Sequence, residues 1–467
     1  MRIDMGEHLP KDAVSWKVTN STQFMLPFYK PVIQYFKPTP SNAACMSQDV
    51  LRRSLVAVLC NFPLVFARVV AQPDRSLILD YNPMNSNNPV LEFHEASVSY
   101  KELQSRGFLL SDTTKYNLDT PVLDGTFTES YEEPLLILKV SFLSDGGIAL
   151  FSTRHHVLFD GTSVFSFVLH WAHCNRMLLQ KQATPPLEMA LPGGSADGAS
   201  FDAASFSPLE LTVDTARTPK EIDAALKRVV DPQVKRTCVF SIATAEIKRL
   251  KQQTMESGIL GQGKWVSSNN VLTAFLAQHV TRANMDAGTY ERGPWTVFHA
   301  LDMRRPLNLP RRGIGSPLFT TECLVPYEEL LDAAYVPQIA QRIRNSVDRC
   351  TTEYLHDSMD WIDATYCRLV NDGVQEPWRH IWFSSLDTNS RYVGVSCMDK
   401  IPVYDADFGA GRPEMARSLD NMLNYVIVFL NQQADAYHVH VCLESPAMDA
   451  LKVNPDWNKL CTLVCDS

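Results

Sequence analysis

The chain has 467 residues, 45% hydrophobic and 20% charged, a balance that excludes disordered and fibrous classes. A net charge of −9 and a pI near 5.8, with no basic tract to offset them, argue against nucleic acid as a partner. A chain this long rarely organises around one core, so two domains are expected. The first residues, MRIDMGEHLPKD, carry no apolar stretch of a secretory signal, and a cytoplasmic location is expected. SQDVLRRSLVAVLC (47–60) has helical spacing, and 64–71 and 77–80 read as strands. The apolar run around them is interrupted by Asn61, Pro63 and Arg68, so no membrane partner is expected. PLLILKVSFL (134–143) and IALFSTRHH (148–156) read as a hairpin around Asp145-Gly146-Gly147. An amphipathic helix, TSVFSFVLHWAHCNRMLLQK, follows from Thr162.

Residues 184–208 are rich in Pro, Gly, Ser and Ala and form the best linker candidate. The expected organisation is an N-terminal domain 1–183, a crossover linker 184–230 and a C-terminal domain 231–467. Beyond the linker, CVFSIATAEIKRLKQQ reads as a strand entering a helix. SSNNVLTAFLAQHVTRAN is a capped helix, and TVFHALDMRR a strand ending in Arg304 and Arg305. Helices run to about residue 372, and RYVGVSCMDK, PVYDADFGAGRP, NYVIVFLNQ and YHVHVCLES follow as strands and loops. The class is mixed α/β without a βαβ rhythm. The eleven cysteines are scattered, as in a chain with reduced core thiols, and Cys461 and Cys465 lack zinc-ribbon spacing. His438 and His440 alternate on a strand, but a metal needs more ligands, and no metal site is expected.

The stretch that carries chemistry is RHHVLFDGTSVF, 154–165, at the joint between the second hairpin strand and the helix. An imidazole with an ordinary pKa of about 6.5 is mostly neutral at physiological pH and can take a proton from an attacking alcohol or amine. His156 suits that role. Asp160, four residues on, could orient His156, cap the helix or pair with an arginine; spacing alone does not choose. Gly161 is expected to let the backbone turn sharply. No G-x-S-x-G serine motif accompanies it, so an acyl-enzyme is not supported.

HHVLFDG resembles the H-x-x-x-D-G motif of the BAHD acyltransferases and of the wider chloramphenicol acetyltransferase-like group, which includes peptide-synthetase condensation domains. YDADFGAGRP (404–413) resembles the second BAHD motif, D-F-G-W-G-[KR]-P, at the family's order and separation. VLRRSLVAVLCNFPLVFARVV, the strand pair before His156, the helix from SSNN and HALDMRRPLN resemble further family regions. The resemblance thus spans most of the chain, with the fungal trichothecene 3-O-acetyltransferase-like branch nearer than the plant branch. It implies an α/β, two-domain chloramphenicol acetyltransferase-like fold, each domain a mixed sheet with flanking helices and an active-site channel between the domains. No cofactor would be bound permanently. Acyl-CoA, acetyl-CoA by default, would be the co-substrate, a small hydroxylated metabolite the acceptor, and the chain a monomer.

His156 would be the general base of a direct transfer, with Asp160 turned away and paired with an arginine, Arg304 matching best. Asp407, Phe408, Gly409 and Gly411 would brace the C-terminal domain. Lys264, Ser267 and Ser268 are the candidate contacts for the phosphates of coenzyme A, because a helix N-terminus favours anions. Capping and solvation account for these three residues equally well, and solvation accounts for Arg311 and Arg312. Two departures stand out: Ala410 replaces the family tryptophan, and SPLFTT (316–321) stands where the family carries a Gly-Asn pair. Three alternatives stay open: N-acyl transfer to an amine, a free-standing condensation-type domain fed by a carrier protein, and a non-catalytic binder, which Ala410 alone supports.

Overall fold

The computed structural model describes residues 12–18, 29–60, 62–72, 77–120, 130–131, 133–183, 206–218, 220–221, 224, 234–261, 263–375, 377–383, 391–419 and 422–466. Most of the expected linker, 184–205 and nearly all of 219–233, lies outside them. The chain divides into two units, and the division is not a single cut. The first unit combines residues 1–194 with 307–317 and 401–420; the second combines 195–306, 318–400 and 421–467. Two short pieces of the expected C-terminal domain, one carrying the D-F-G motif, therefore pack with the N-terminal unit.

The first unit is built on a five-stranded sheet in the order Met415–Ser418, Val32–Phe36, Ile148–Arg154, Leu136–Phe142, Val90–Glu95. The hairpin read from the sequence is present, Leu136 facing Arg154 and Phe142 facing Ile148. Its outer partner Val90–Glu95 runs parallel to Leu136–Phe142, the remaining pairs antiparallel. Val32–Phe36 is buried at all five positions, so its sequence shows no alternation. A four-stranded sheet, Val14–Lys17, Leu77–Tyr81, Arg68–Ala71 and Ser130–Tyr131, completes the unit. The expected strand 64–71 is split, because Pro63 opens a 3₁₀ turn, Pro63–Phe66, before the strand Arg68–Ala71 begins.

The helix Gly161–Leu179 lies against Gln48–Leu59 and fills the core of this unit. Trp171 is fully buried and donates its indole N–H to Ser54 Oγ at 3.0 Å. Ser54 in turn donates to Asn175 Oδ1 at 2.8 Å. Apolar rings and a closed set of hydrogen bonds thus fix this helix along its length.

The second unit is a seven-stranded mixed sheet in the order Leu318–Val325, Trp295–Asp302, Tyr392–Met398, Tyr425–Asn431, Ala436–Glu444, Lys235–Ala243, Cys461–Cys465. Trp295–Asp302 pairs in parallel with Tyr392–Met398, which pairs in parallel with Tyr425–Asn431. The helix Ser268–Asp286 packs on the sheet's core with Val336–Arg349 and Ser445–Val453 beside it. SPLFTT, marked above only as a departure, supplies the start of the edge strand Leu318–Val325. All eleven cysteines are free thiols. Among the described residues no helix is long and apolar enough to cross a membrane.

Candidate active site

The strand Ile148–Arg154 ends one residue before the paired histidines, which have different surroundings. His155 is fully buried. Its main-chain N–H still donates to Leu135 O at 3.0 Å, and its Nδ1 accepts from the N–H of Val157 at 3.1 Å. The Tyr29 ring meets it edge-on at 5.3 Å. His155 therefore shapes the turn, and its neighbour is half-buried.

His156 Nδ1 lies 3.2 Å from the hydroxyl of Ser316, a residue 160 positions along the chain. The imidazole is pushed down to about 3, chiefly by burial, with the positive charges of Lys30 and Arg154 adding to it. A hydrogen bond to its own main chain opposes the shift. A group depressed in this way is neutral at every physiological pH, the form a proton acceptor requires.

Asp160 is fully buried and caps the helix: its Oδ1 accepts from Ser163 N–H at 2.7 Å. Of the three roles left open by spacing, capping is thus present. Its carboxylate also counters the burial of Arg154, which draws that guanidinium down to about 9. The sharp turn is made by Asp160 itself, extended at φ −85° and ψ −175°. Gly161 is the first residue of the helix rather than the turning residue, because the cap must be extended and the residue after it helical. Replacing Asp160 separates cap from charge. Asp160→Asn keeps a capping oxygen, whereas Asp160→Ala removes it, at about 1 kcal/mol for the cap alone. Both variants withdraw the counter-charge of Arg154. Thermal melting is expected to rank them wild type, Asn, Ala; equal melting of all three would contradict it.

A strap from 313 to 316 closes over this turn. Gly315 O accepts from Asp160 N–H at 3.3 Å and from the hydroxyl of Ser163, and Gly315 N–H donates to Ser163 Oγ at 2.9 Å. Ile314, fully buried, anchors the strap in the core. Sequence reasoning missed the clasp of Ser163 by Gly315 and the contact of Ser316 with His156, because 152 and 160 residues separate the partners and no local spacing relates them.

The D-F-G loop supports the other end of the same helix. Asp407 Oδ1 accepts from the N–H groups of Gly409 at 2.7 Å and Gly411 at 3.0 Å, which closes the loop on itself. Gly409 sits at φ +104°, a conformation that favours glycine, and a Cβ there would stand a tight 3.2 Å from Cys45 Sγ. Phe408 is fully buried, its ring edge-on to Trp171 at 5.0 Å and to Phe36 at 6.0 Å. Asn175 donates to Phe408 O at 2.8 Å, and Arg176 to Asp407 O. The loop therefore braces the N-terminal unit, not the C-terminal domain expected for it, because its aromatic plug fits the hole beside Trp171. Ala410, small and half-buried, packs at the rim of the same core.

The remaining candidates lie in the second unit. Arg304 is buried and donates to Asp302 Oδ1 at 3.0 Å. Ser267 caps the helix Ser268–Asp286 in a reciprocal box with Asn270: Asn270 N–H donates to Ser267 Oγ at 3.1 Å and Ser267 N–H to Asn270 Oδ1 at 2.9 Å. Ser268 is half-buried and Lys264 exposed. His438 and His440 are buried in the sheet, His440 edge-on to Phe429 at 4.9 Å.

Four histidines share one electrostatic consequence. Burial lowers His279, His299 and His438 to about 4, as it lowers His156 to about 3. Each folded-state value lies below the unfolded one, so the unfolded chain binds more protons once the pH drops under about 6.5. The stability these groups contribute is present above that pH and is lost as the pH falls toward 4. The slope approaches about 1.4 kcal/mol per pH unit for each histidine. The melting temperature is expected to fall steeply between pH 7 and pH 5; a flat profile over that range would contradict this.

A five-stranded and a seven-stranded mixed sheet with flanking helices, and a neutral histidine at a strand-to-helix turn, define the chloramphenicol acetyltransferase-like class. Residues 5–457 match the transferase family, and the chain belongs to it: the acyl-CoA-dependent BAHD acyltransferases. Akuammiline synthase 1 of Alstonia scholaris is 22% identical over 450 residues, covering 91% of this chain and 95% of that protein. Among solved structures, F. sporotrichioides TRI101 complexed with coenzyme A and T-2 superposes with a TM-score of 0.71 at 17% identity, covering 97% of this chain and 100% of that one. Vinorine synthase superposes at 0.67 with 18% identity, covering 98% and 96%. These likenesses show the two-domain α/β fold.

Proposed function

We propose that this acyltransferase moves an acyl group, acetyl foremost, from acyl-CoA to a hydroxyl of a small molecule of secondary metabolism. His156 takes the hydroxyl proton as the oxygen attacks the thioester carbonyl. A tetrahedral oxyanion forms, and its collapse expels the coenzyme A thiolate, which regains the proton from the imidazolium. The observation that carries the reading is the neutral, half-buried imidazole, engaged at Nδ1 and mounted on a turn pinned by three hydrogen bonds. Asp160 serves as helix cap and as the counter-charge of Arg154. Gly161 begins the helix, and Asp407, Phe408, Gly409 and Gly411 hold it. Lys264 and the helix N-terminus at Ser267 and Ser268 are the proposed contacts for the coenzyme A phosphates. The reading keeps a monomeric cytoplasmic enzyme; the scattered free thiols support the compartment alone.

The test is thiol release from a panel of acyl-CoAs with pooled hydroxylated acceptors, and separately with pooled amines. Release that requires a hydroxylated acceptor supports the proposal, and the donor panel ranks the acyl chains. Release only with amines would replace O- by N-acylation. Turnover only from a carrier-protein-loaded donor would establish the condensation-type alternative. No turnover from any donor would favour a binder.

A further inference from the structure

We infer that Ser316 is a positioning residue for the base: its hydroxyl accepts the Nδ1–H of His156 and holds the imidazole in the tautomer whose Nε2 lone pair takes the acceptor's proton. The inference rests on the reading of His156 as the base. Its geometry is independent of that reading. Ser316 is 2% exposed, so its hydroxyl has little access to water. Among the described residues that hydroxyl bonds His156 and no other side chain. A buried hydroxyl is retained at a cost unless it is hydrogen-bonded, and here the imidazole supplies the bond.

The direction of the bond follows from the base role: Ser316 engages Nδ1, so Nε2 is the ring nitrogen that must carry the lone pair. A neutral imidazole has one donor and one acceptor nitrogen, so Nδ1 carries the hydrogen and Ser316 Oγ accepts it. The neutral ring then has its lone pair on Nε2. The strap gives the bond its rigidity. Gly315, next to Ser316, is clipped to Asp160 and Ser163 at the start of the helix, so the turn that mounts the base also mounts its orienting group. Ser316 opens the SPLFTT segment, where this chain departs from the Gly-Asn pair of its family. The departure thus coincides with the side chain that touches the base.

The test begins without a substrate. In the full-length protein labelled with ¹⁵N-histidine, the His156 resonances are identified by their loss in His156→Ala. Two-bond proton–nitrogen spectra are expected to show the Nδ1–H tautomer in the wild type and in Ser316→Thr, and a mixture of tautomers in Ser316→Ala. Ser316→Asp, which sets a carboxylate against Nδ1–H, is expected to raise the imidazole's titration toward neutrality, a shift a merely structural serine would not produce. In thiol release, Ser316→Ala should lower kcat about three- to tenfold, the range of an ordinary hydrogen bond, with KM for acyl-CoA unchanged. Ser316→Thr should recover the rate. An Nε2–H tautomer in the wild type, or a Ser316→Ala variant with wild-type tautomer and kcat, overturns the inference. A His156→Ala variant with wild-type turnover refutes the base and the role of Ser316 with it. An inactive His156→Ala beside an unaffected Ser316→Ala overturns the role of Ser316 alone.

Discussion

His156→Ala is expected to lose about 10²–10⁴-fold in turnover while melting close to the wild type. Loss of a general base typically has that size, and the reason to expect an intact fold lies in the division of labour between the paired histidines. His155 is enclosed and bonded into the turn; His156 is half-buried and engages one serine hydroxyl. Truncating the second leaves the first in place. His155→Ala should do the reverse, lowering stability, because it removes the acceptor of Val157 N–H and the edge-on partner of Tyr29. Turnover and melting measured on both variants separate chemistry from architecture. A His156→Ala enzyme at wild-type rate would refute the assignment of the base.

Phe408→Ala is expected to destabilise the first unit by about 3–5 kcal/mol, the cost of emptying a fully buried aromatic site. The ring fills the gap beside Trp171 and Phe36, and two carbonyls of the loop that carries it accept hydrogen bonds from the helix, one from Asn175 and one from Arg176. That helix begins at the Asp160 cap. The variant should therefore melt earlier, and its residual activity should fall with temperature faster than that of the wild type. Phe408→Leu should recover part of the loss by refilling the cavity. A melting temperature within a degree or two of the wild type would show that the loop does not brace the helix.

Much of the site was legible in the sequence because it is local. His156, Asp160 and Gly161 fall within six residues, and the amphipathic helix and the hairpin around them have clean periodicity. The elements that were not legible are those whose conformation is imposed from afar. Met415–Ser418 has no alternation, and its arginine is fully buried; it is a strand because Val32–Phe36 offers it a ladder. Val32–Phe36 is buried on both faces and so lacks a strand's alternating pattern. Ser316 is 160 residues from the imidazole it touches, and no spacing rule connects them. The role of Asp160 lay between these cases: its type and position allowed a cap, an orienting group or an ion-pair partner, and only the hydrogen bond to Ser163 shows the cap.

The return of residues 401–420 to the first unit has a consequence for biosynthesis. The ribosome releases the helix Gly161–Leu179 roughly 240 residues before Met415–Ser418. At about 5–20 residues per second the delay is on the order of tens of seconds. Throughout that interval the nascent first unit has a vacant hole where Phe408 belongs and an unpaired ladder along Val32–Phe36, the kind of edge that recruits other chains. Its folding cannot finish vectorially, half by half. The nascent chain must hold an open, sticky intermediate until residues 401–420 have been made, and slower elongation lengthens its exposure to chaperones and to aggregation alike.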